Sequence, residues 1–282
     1  MNLPVAVTFH DPGPLLTSIE HSLLLAARDR GDRSAECSLD LGRSIAAVET
    51  GGDSWAWRGC GYPYPAVCRE RTIYYWDGSG FEPVSRFDGS LIKLVPTQWG
   101  APTFEIDGIK MLPTAQVSPY EDAGSKVALV EPRGKVVLDT CGGLGYFAAW
   151  CLAGQAARVL SFEKNPDVVW LRSRNPWSPV PGNVLDLELG DVSREITRIP
   201  DASVDAVLHD PPRFGIAGEL YSQAFYDQLA RVLRRRGRMF HYTGAPNAVS
   251  RGRDLPREVA ARLRRAGFDA RPALDGLVAV RG

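Results

Sequence analysis

The chain has 282 residues, enough for about two domains, and its 44% hydrophobic and 23% charged residues are the composition of a folded protein, which excludes wholesale disorder. Its 33 Lys and Arg balance 33 Asp and Glu, so bulk charge gives no attraction for a polyanion and nucleic-acid binding needs a local basic patch. Five cysteines without a C-x-x-C pair or a histidine at ligand spacing read as reduced thiols and give no metal site, and the longest early apolar run, 23–27, is far too short for a membrane span, so a cytoplasmic protein is expected.

From Pro14 to Arg30, the residues Leu15, Ile19, Leu23 and Ala26 recur at helical spacing and predict a helix that docks through that face. From Cys37 to about Gln116 the texture turns to short β-rich pieces, SIAAVET, WAWRG, TIYYW, LIKLV and TFEI, separated by GGDS, DGSG and FDGS turns. This predicts a small antiparallel module. Its aromatics, among them Trp55, Trp57, Tyr74, Tyr75 and Trp76, offer stacking surface for single-stranded RNA, but period-two geometry makes them the packing of a small β core. A helix from about Pro119 to Val130 then leads into KVVLDT, and strands near 135–140, 158–162, 184–189, 204–209 and 238–242 alternate with helices near 145–153, 166–173, 222–233 and 255–266. That alternation predicts a doubly wound α/β sheet. Two last strands, near 268–273 and 276–280, are joined only by Leu274 and Asp275, which permits an antiparallel hairpin and no parallel crossover. The division expected is an N-terminal helix plus β-rich module over 1–116 and an α/β domain over 117–282.

The first strand of that domain ends in Asp139-Thr140-Cys141-Gly142-Gly143-Leu144-Gly145-Tyr146 and runs into an Ala-rich helix. Glycines there let the backbone approach a ligand, and the helix N-terminus presents unpaired N–H groups. Gly143 to Ala148 also fits the dinucleotide pattern G-x-G-x-x-A. Asp139 separates the two readings, because a carboxylate just before the glycines repels a pyrophosphate and suits the ammonium of a methionine moiety. S-adenosyl-L-methionine is the cofactor expected, and an NAD-dependent dehydrogenase is the rival. Glu163, 18 residues beyond Gly145 and followed by Lys164, stands where an acid accepts both ribose hydroxyls. Asp191, closing the third strand, can accept from an adenine amino group, with Val192 giving a backbone contact. Each acid has a plain alternative as a helix N-cap.

The fourth strand ends in His209-Asp210-Pro211-Pro212-Arg213-Phe214. Two prolines cannot extend a ladder, so the backbone leaves the sheet at the carboxyl edge, where α/β ligands bind. Asp210 can accept a hydrogen bond from an amino group and the Pro211 carbonyl a second, which aims a nitrogen lone pair at a sulfonium methyl. Alternation along the strand turns His209 to the other face and makes it structural, and His241 has the same choice between base and structural residue.

On these residues the chain resembles a class I S-adenosylmethionine-dependent methyltransferase, and its fourth-strand motif is similar to the D-P-P-aromatic motif of amino-group methyltransferases. Asp139-Thr140-Cys141, Gly143-Leu144-Gly145-Tyr146, Asn175-Pro176-Trp177-Ser178 and His209-Asp210-Pro211-Pro212-Arg213 resemble a group of predicted methyltransferases best represented in archaea, from about Leu39 to Gly282. The resemblance implies a Rossmann-like, seven-stranded methyltransferase sheet with a C-terminal antiparallel hairpin. It implies that Asp139, Gly143, Gly145, Glu163 and Asp191 hold the cofactor, and Asp210 and Pro211 the acceptor.

Arg213 stands where that motif has its aromatic. Either Phe214 takes over base stacking or Arg213 clamps a carboxylate or phosphate. Of the eleven arginines between Arg231 and Arg265, those at 234–236 and at 262, 264 and 265 fall on the edge opposite the site, whereas Arg251 and Arg253 lie beyond the carboxyl end of strand five. The expected activity is methyl transfer to nitrogen, with RNA the first acceptor class and the N-terminal module shaping the acceptor site. A small-molecule amine, a protein side chain, aminopropyl transfer and a catalytically silent RNA- or partner-binding subunit are the alternatives.

Overall fold

The computed structural model describes residue 9 and residues 13–244 and 254–282. Among them the chain forms two compact units: Glu121–Val169 with Pro179–Gly282, and the residues up to Tyr120 with Trp170–Ser178.

The second of these units opens with β1 (Leu15–Leu16) and α1 (Ser18–Arg30). Thr17 caps α1 by accepting from the Ile19 N–H, while Glu20 accepts from the Thr17 N–H, and Gly31 ends the helix in the left-handed conformation. The buried face is His21, Leu24 and Ala27, whereas Ile19, Leu23 and Ala26 are exposed, which corrects the expected docking face. Leu15 belongs to β1, where it pairs with Tyr75, so it sets no helical phase.

Ten short strands follow: β2 (Ser34–Cys37), β3 (Ala46–Thr50), β4 (Ser54–Trp57), β5 (Cys60–Pro63), β6 (Tyr74–Trp76), β7 (Phe81–Pro83), β8 (Ser85–Phe87), β9 (Leu91–Val95), β10 (Thr103–Ile106) and β11 (Ile109–Lys110). They make three antiparallel sheets, ordered β2-β3-β4-β5, β1-β6-β7 and β8-β9-β10-β11. Trp55 stacks on Tyr62 at 4.7 Å between ring centres, and Trp76 meets Tyr62 edge-on at 5.5 Å and Phe81 at 5.3 Å. These rings pack on one another as a small β core requires.

The first unit holds the seven-stranded sheet. After α2 (Pro119–Ala128) come β12 (Val136–Asp139), α3 (Tyr146–Ala153), β13 (Arg158–Glu163), α4 (Pro166–Arg172), β14 (Leu185–Leu189), α5 (Val192–Glu195), β15 (Val204–His209), α6 (Gln223–Val232), β16 (Leu233–Tyr242), α7 (Leu255–Arg265), β17 (Phe268–Ala273) and β18 (Gly276–Arg281). The sheet order is β14-β13-β12-β15-β16-β18-β17, parallel through β16, with β18 antiparallel to both neighbours. The order reverses between β12 and β15, which places the ligand crevice at their carboxyl ends. The two-residue turn at Leu274 and Asp275 reaches the same edge, because β18 starts beside the end of β16, with Tyr242 opposite Gly276.

A continuous core of Leu138, Val207, Met239, Tyr226, Leu229, Val259 and Leu263 fixes the strands under this edge. Strand β16 begins at Leu233 rather than near 238, and its register to β15 breaks between Val204 and Ala206, where Arg236 is left-handed. Arg234, Arg235 and Arg236 therefore lie inside the strand rather than before it. They are exposed, and Arg234 pairs with Asp205. No described helix is long and apolar enough to cross a membrane.

Candidate active site

Four strand ends and one hairpin turn converge at the crevice. Asp139 ends β12 with no exposed surface, and the Ser161 hydroxyl donates to it at 2.8 Å. It is enclosed by protein, so its charge acts on the site through the local field. Beyond it Gly143 (φ +48°) and Gly145 (φ +81°) adopt the left-handed conformation that side chains disfavour, and Gly145 opens α3 without a side-chain cap. Glu163 ties this loop to β13, accepting from the Gly143 N–H at 2.9 Å and the Asn165 N–H at 2.8 Å. Cys141 packs against the core, and burial pushes its thiol well above the usual range, so it stays protonated.

Asp191 is the N-cap of α5, accepting from the Ser193 N–H at 3.0 Å and hydroxyl at 2.7 Å, and it pairs with the exposed Lys164 at 2.8 Å. The capping alternative raised for each acid is realised at Asp191. Val192 is buried beneath it. The crevice thus has a glycine cradle with an acid at the end of each flanking strand. This donor set fits S-adenosylmethionine: the backbone N–H groups of α3 and the loop, and acceptors suited to ribose hydroxyls and an exocyclic amine.

At the end of β15 the two prolines carry the backbone away from the sheet. Tyr221, almost fully buried, donates to the Pro212 carbonyl at 3.1 Å and lies 3.5 Å from that of Pro211. The Pro211 carbonyl, expected to be free, therefore shares a protein donor, and its second lone pair is what it can offer a ligand. Phe214 packs edge-on against Tyr221 at 5.5 Å, which takes up part of its stacking surface, and Arg213 is exposed. Arg251 and Arg253 lie outside the described residues.

Among the described residues, Asp210 accepts no side-chain or backbone hydrogen bond. Burial pushes its carboxyl up from 3.8 to about 7, against the opposing pull of Lys126, and Asp275, Asp122 and Asp139 push further in the same direction as burial.

His209 and His241 are fully buried behind the edge. His209 Nε2 donates to the Leu220 carbonyl at 3.1 Å, which leaves Nδ1 to accept from the Thr140 hydroxyl at 2.7 Å. His241 Nδ1 donates to the Tyr242 carbonyl at 2.8 Å and Nε2 accepts from the Tyr226 hydroxyl at 2.9 Å. Burial lowers both, His209 to about 4. They are neutral at physiological pH, with both ring nitrogens engaged.

Four residues of this edge escaped the sequence reading. Tyr221 supports the proline loop. Lys126 of α2 is 2% exposed and pairs with Asp122 at 2.7 Å and with Asp275 at 3.0 Å. Asp122 and Lys126 are four apart, a spacing that reads as a surface pair. The signal that could have found the group is topological, since a two-residue turn between β17 and β18 must reach the site edge. Among the described residues no cluster of His, Cys, Asp and Glu has a metal-holding arrangement.

Comparison with known proteins agrees with this geometry. Residues 179–252 match a family model described as S-adenosyl-L-methionine-dependent methyltransferase. The uncharacterized protein MJ1233 of Methanocaldococcus jannaschii is 45% identical over 203 residues, 71% of this chain and 69% of its own. Among solved structures, a spermidine synthase in complex with the transition-state analogue AdoDATO superposes with a TM-score of 0.55 at 15% identity, covering 70% of this chain and 73% of that one. MNMC2 from Aquifex aeolicus has a TM-score of 0.50 at 19% identity, over 69% and 71% of the two chains. At such identities these two structures speak for the fold. The chain belongs to the same family as the archaeal protein and is an S-adenosyl-L-methionine-dependent methyltransferase by family.

Proposed function

We propose that the enzyme transfers the methyl group to an amino nitrogen, and that Asp210 is the residue that receives the acceptor. The observation that carries this is the Asp210 carboxylate, set at the crevice by two prolines and without a hydrogen-bond donor among the described residues. When bound, S-adenosylmethionine supplies an electrophilic methyl on its sulfonium. Gly143, Gly145, Glu163, Lys164, Asp191 and Val192 are the cradle assigned to it, with Cys141 lining the wall and Asp139 favouring a cationic group from behind.

Ionised Asp210 accepts a hydrogen bond from the amine N–H and Pro211 accepts a second, which turns the nitrogen lone pair outward. The proton released after transfer leaves to water, so no histidine is needed, in keeping with the engaged rings of His209 and His241.

The carboxylates Asp122, Asp139, Asp210 and Asp275 surround the acceptor end, and Lys126, which stands among them, is already paired with Asp122 and Asp275. Such a field repels a phosphate next to the reacting nitrogen and favours an amine of a small molecule or protein side chain. RNA is the second reading, favoured by the exposed Arg213 beside the proline loop.

The deciding experiment incubates the protein with tritiated S-adenosylmethionine and an extract, then separates RNA, protein and small-molecule fractions. Label in the small-molecule or protein fraction, lost by about 100-fold or more in Asp210→Asn, is the expected result. Label in RNA alone makes RNA the acceptor. Transfer from decarboxylated S-adenosylmethionine instead makes the enzyme an aminopropyltransferase, and unchanged activity of Asp210→Asn removes Asp210 from the mechanism.

A further inference from the structure

Lys126 is a lysine almost without solvent, which is an expensive place for an ammonium unless charge and geometry compensate. Two ion pairs engage it, to Asp122 in its own helix and to Asp275 in the β17–β18 turn. It also lies 5.0 Å from the ring centre of Tyr242 and 5.8 Å from that of Phe240, both on β16. It therefore joins α2, β16 and the hairpin beside the point where the chain leaves β15 for Asp210, since His209 is in register with His241, and Tyr242, the next residue of β16, with Gly276.

The charge pattern around Asp210 is lopsided. Asp122 faces it from α2, Asp139 from β12 and Asp275 from the hairpin, all negative, and among the described residues Lys126 from α2 is the positive group that acts on it. Tyr221 and Tyr242 border it and are both held protonated, each raised chiefly by burial and then by Asp210 itself. Arg213 is exposed and acts on Tyr242. Without Lys126 this corner would hold four carboxylates with, among the described residues, only the exposed Arg213 near them.

We propose that Lys126 is a positioning residue for the acceptor end: its ammonium, fixed by Asp122 and Asp275, is the counter-charge that lets Asp210 stand ionised and in place to take the acceptor's N–H. The inference rests on the reading of Asp210 given above. A purely structural tie between α2 and the hairpin would matter equally for folding, but it would leave the titration of Asp210 where it is.

The test is a pH titration of the full-length protein labelled with 13C at the aspartate carboxyl carbons, followed by NMR, with the Asp210 signal assigned by its disappearance in Asp210→Asn. In the wild type the midpoint is expected near pH 7. In Lys126→Gln, which keeps a hydrogen-bond donor for Asp122, it should rise by about 1–3 pH units, the usual effect of removing a close opposite charge. Lys126→Arg should bring it back to within about half a unit.

A Lys126→Gln midpoint equal to that of the wild type overturns the proposal. Should Lys126→Gln not fold, Lys126→Arg and Asp275→Asn carry the test. There Lys126→Arg should stay within about half a unit of the wild type, and Asp275→Asn, which removes a repelling carboxylate, should lower the midpoint. A Lys126→Arg midpoint displaced by about a unit or more, or an unmoved Asp275→Asn midpoint, also overturns it. Methyl transfer by Asp210→Asn, measured alongside, separates this from the proposed function: unchanged activity there removes Asp210 from the mechanism, whereas a midpoint shifted in Lys126→Gln does not depend on it.

Discussion

Asp210 and its neighbour His209 titrate in opposite directions, and this gives the site a stability signature. An ordinary carboxyl titrates near 3.8 and Asp210 near 7. Between these values the folded chain holds a proton that the unfolded chain has released, so this group's contribution to stability falls as pH rises. His209 moves from 6.5 to about 4, and between those values the unfolded chain holds the extra proton, so its contribution is lost as pH falls. Asp210→Asn is therefore expected to melt higher than the wild type, by about 2–4 °C for each kcal/mol gained, with the gain growing from pH 4 to pH 7. The same variant should lose stability more steeply below pH 6.5, where His209 is no longer offset. Thermal melts over that range check both, and a pH-independent difference would refute the assignment of the Asp210 carboxyl. The place of Asp210 at the carboxyl edge was legible because two prolines after it cannot extend a ladder, and the side chain of His209 was legible from alternation alone. Lys126 was not, because Asp275, its second partner, arrives from far along the chain and only pairing of β18 with β16 brings it near.

Among elements, α1 shows where periodicity misleads. A run of apolar residues four apart fits Ile19 and Leu23, yet both are exposed at 67% and 46%, and Leu24 has no exposed surface. The Thr17 cap and β1 set the helix start, and three consecutive leucines at 23–25 allow more than one phase. Leu24→Ala should cost about 2–5 kcal/mol in urea unfolding, whereas Ile19→Ala and Leu23→Ala should each stay within about 0.5 kcal/mol. Equal costs at Leu23 and Leu24 would mean that the helix packs in the other register. The α/β elements were legible almost throughout, because parallel strands buried on both faces read as apolar runs with helices between them. The start of β16 was hidden by Arg234, Arg235 and Arg236, which look like a loop in sequence and occupy an exposed half-strand before the register break.

For the whole molecule, composition and texture gave two parts, but not the return of Trp170–Ser178 to the unit formed by the residues up to Tyr120. That segment is bound there in detail. Arg174 stacks over Trp170 at 3.9 Å and over Tyr75 at 4.9 Å, Arg86 covers Trp170 at 4.5 Å, and the Trp177 indole donates to the Leu41 carbonyl at 3.0 Å. The sequence showed Asn175-Pro176-Trp177-Ser178 as a motif without a place, since Leu41, whose carbonyl Trp177 meets, lies 136 residues earlier. A chain cut to residues 117–282 keeps the whole sheet but strips Trp170, Arg174 and Trp177 of those partners and leaves two large rings on its surface. It is expected to aggregate, or to melt well below the full chain, and to regain solubility when Trp170 and Trp177 are both changed to Ser. Size-exclusion chromatography with thermal melts decides this. A truncated chain that stays monomeric and melts within about 2 °C of the full protein would show that residues 117–282 do not depend on the partners the cut removes from this segment.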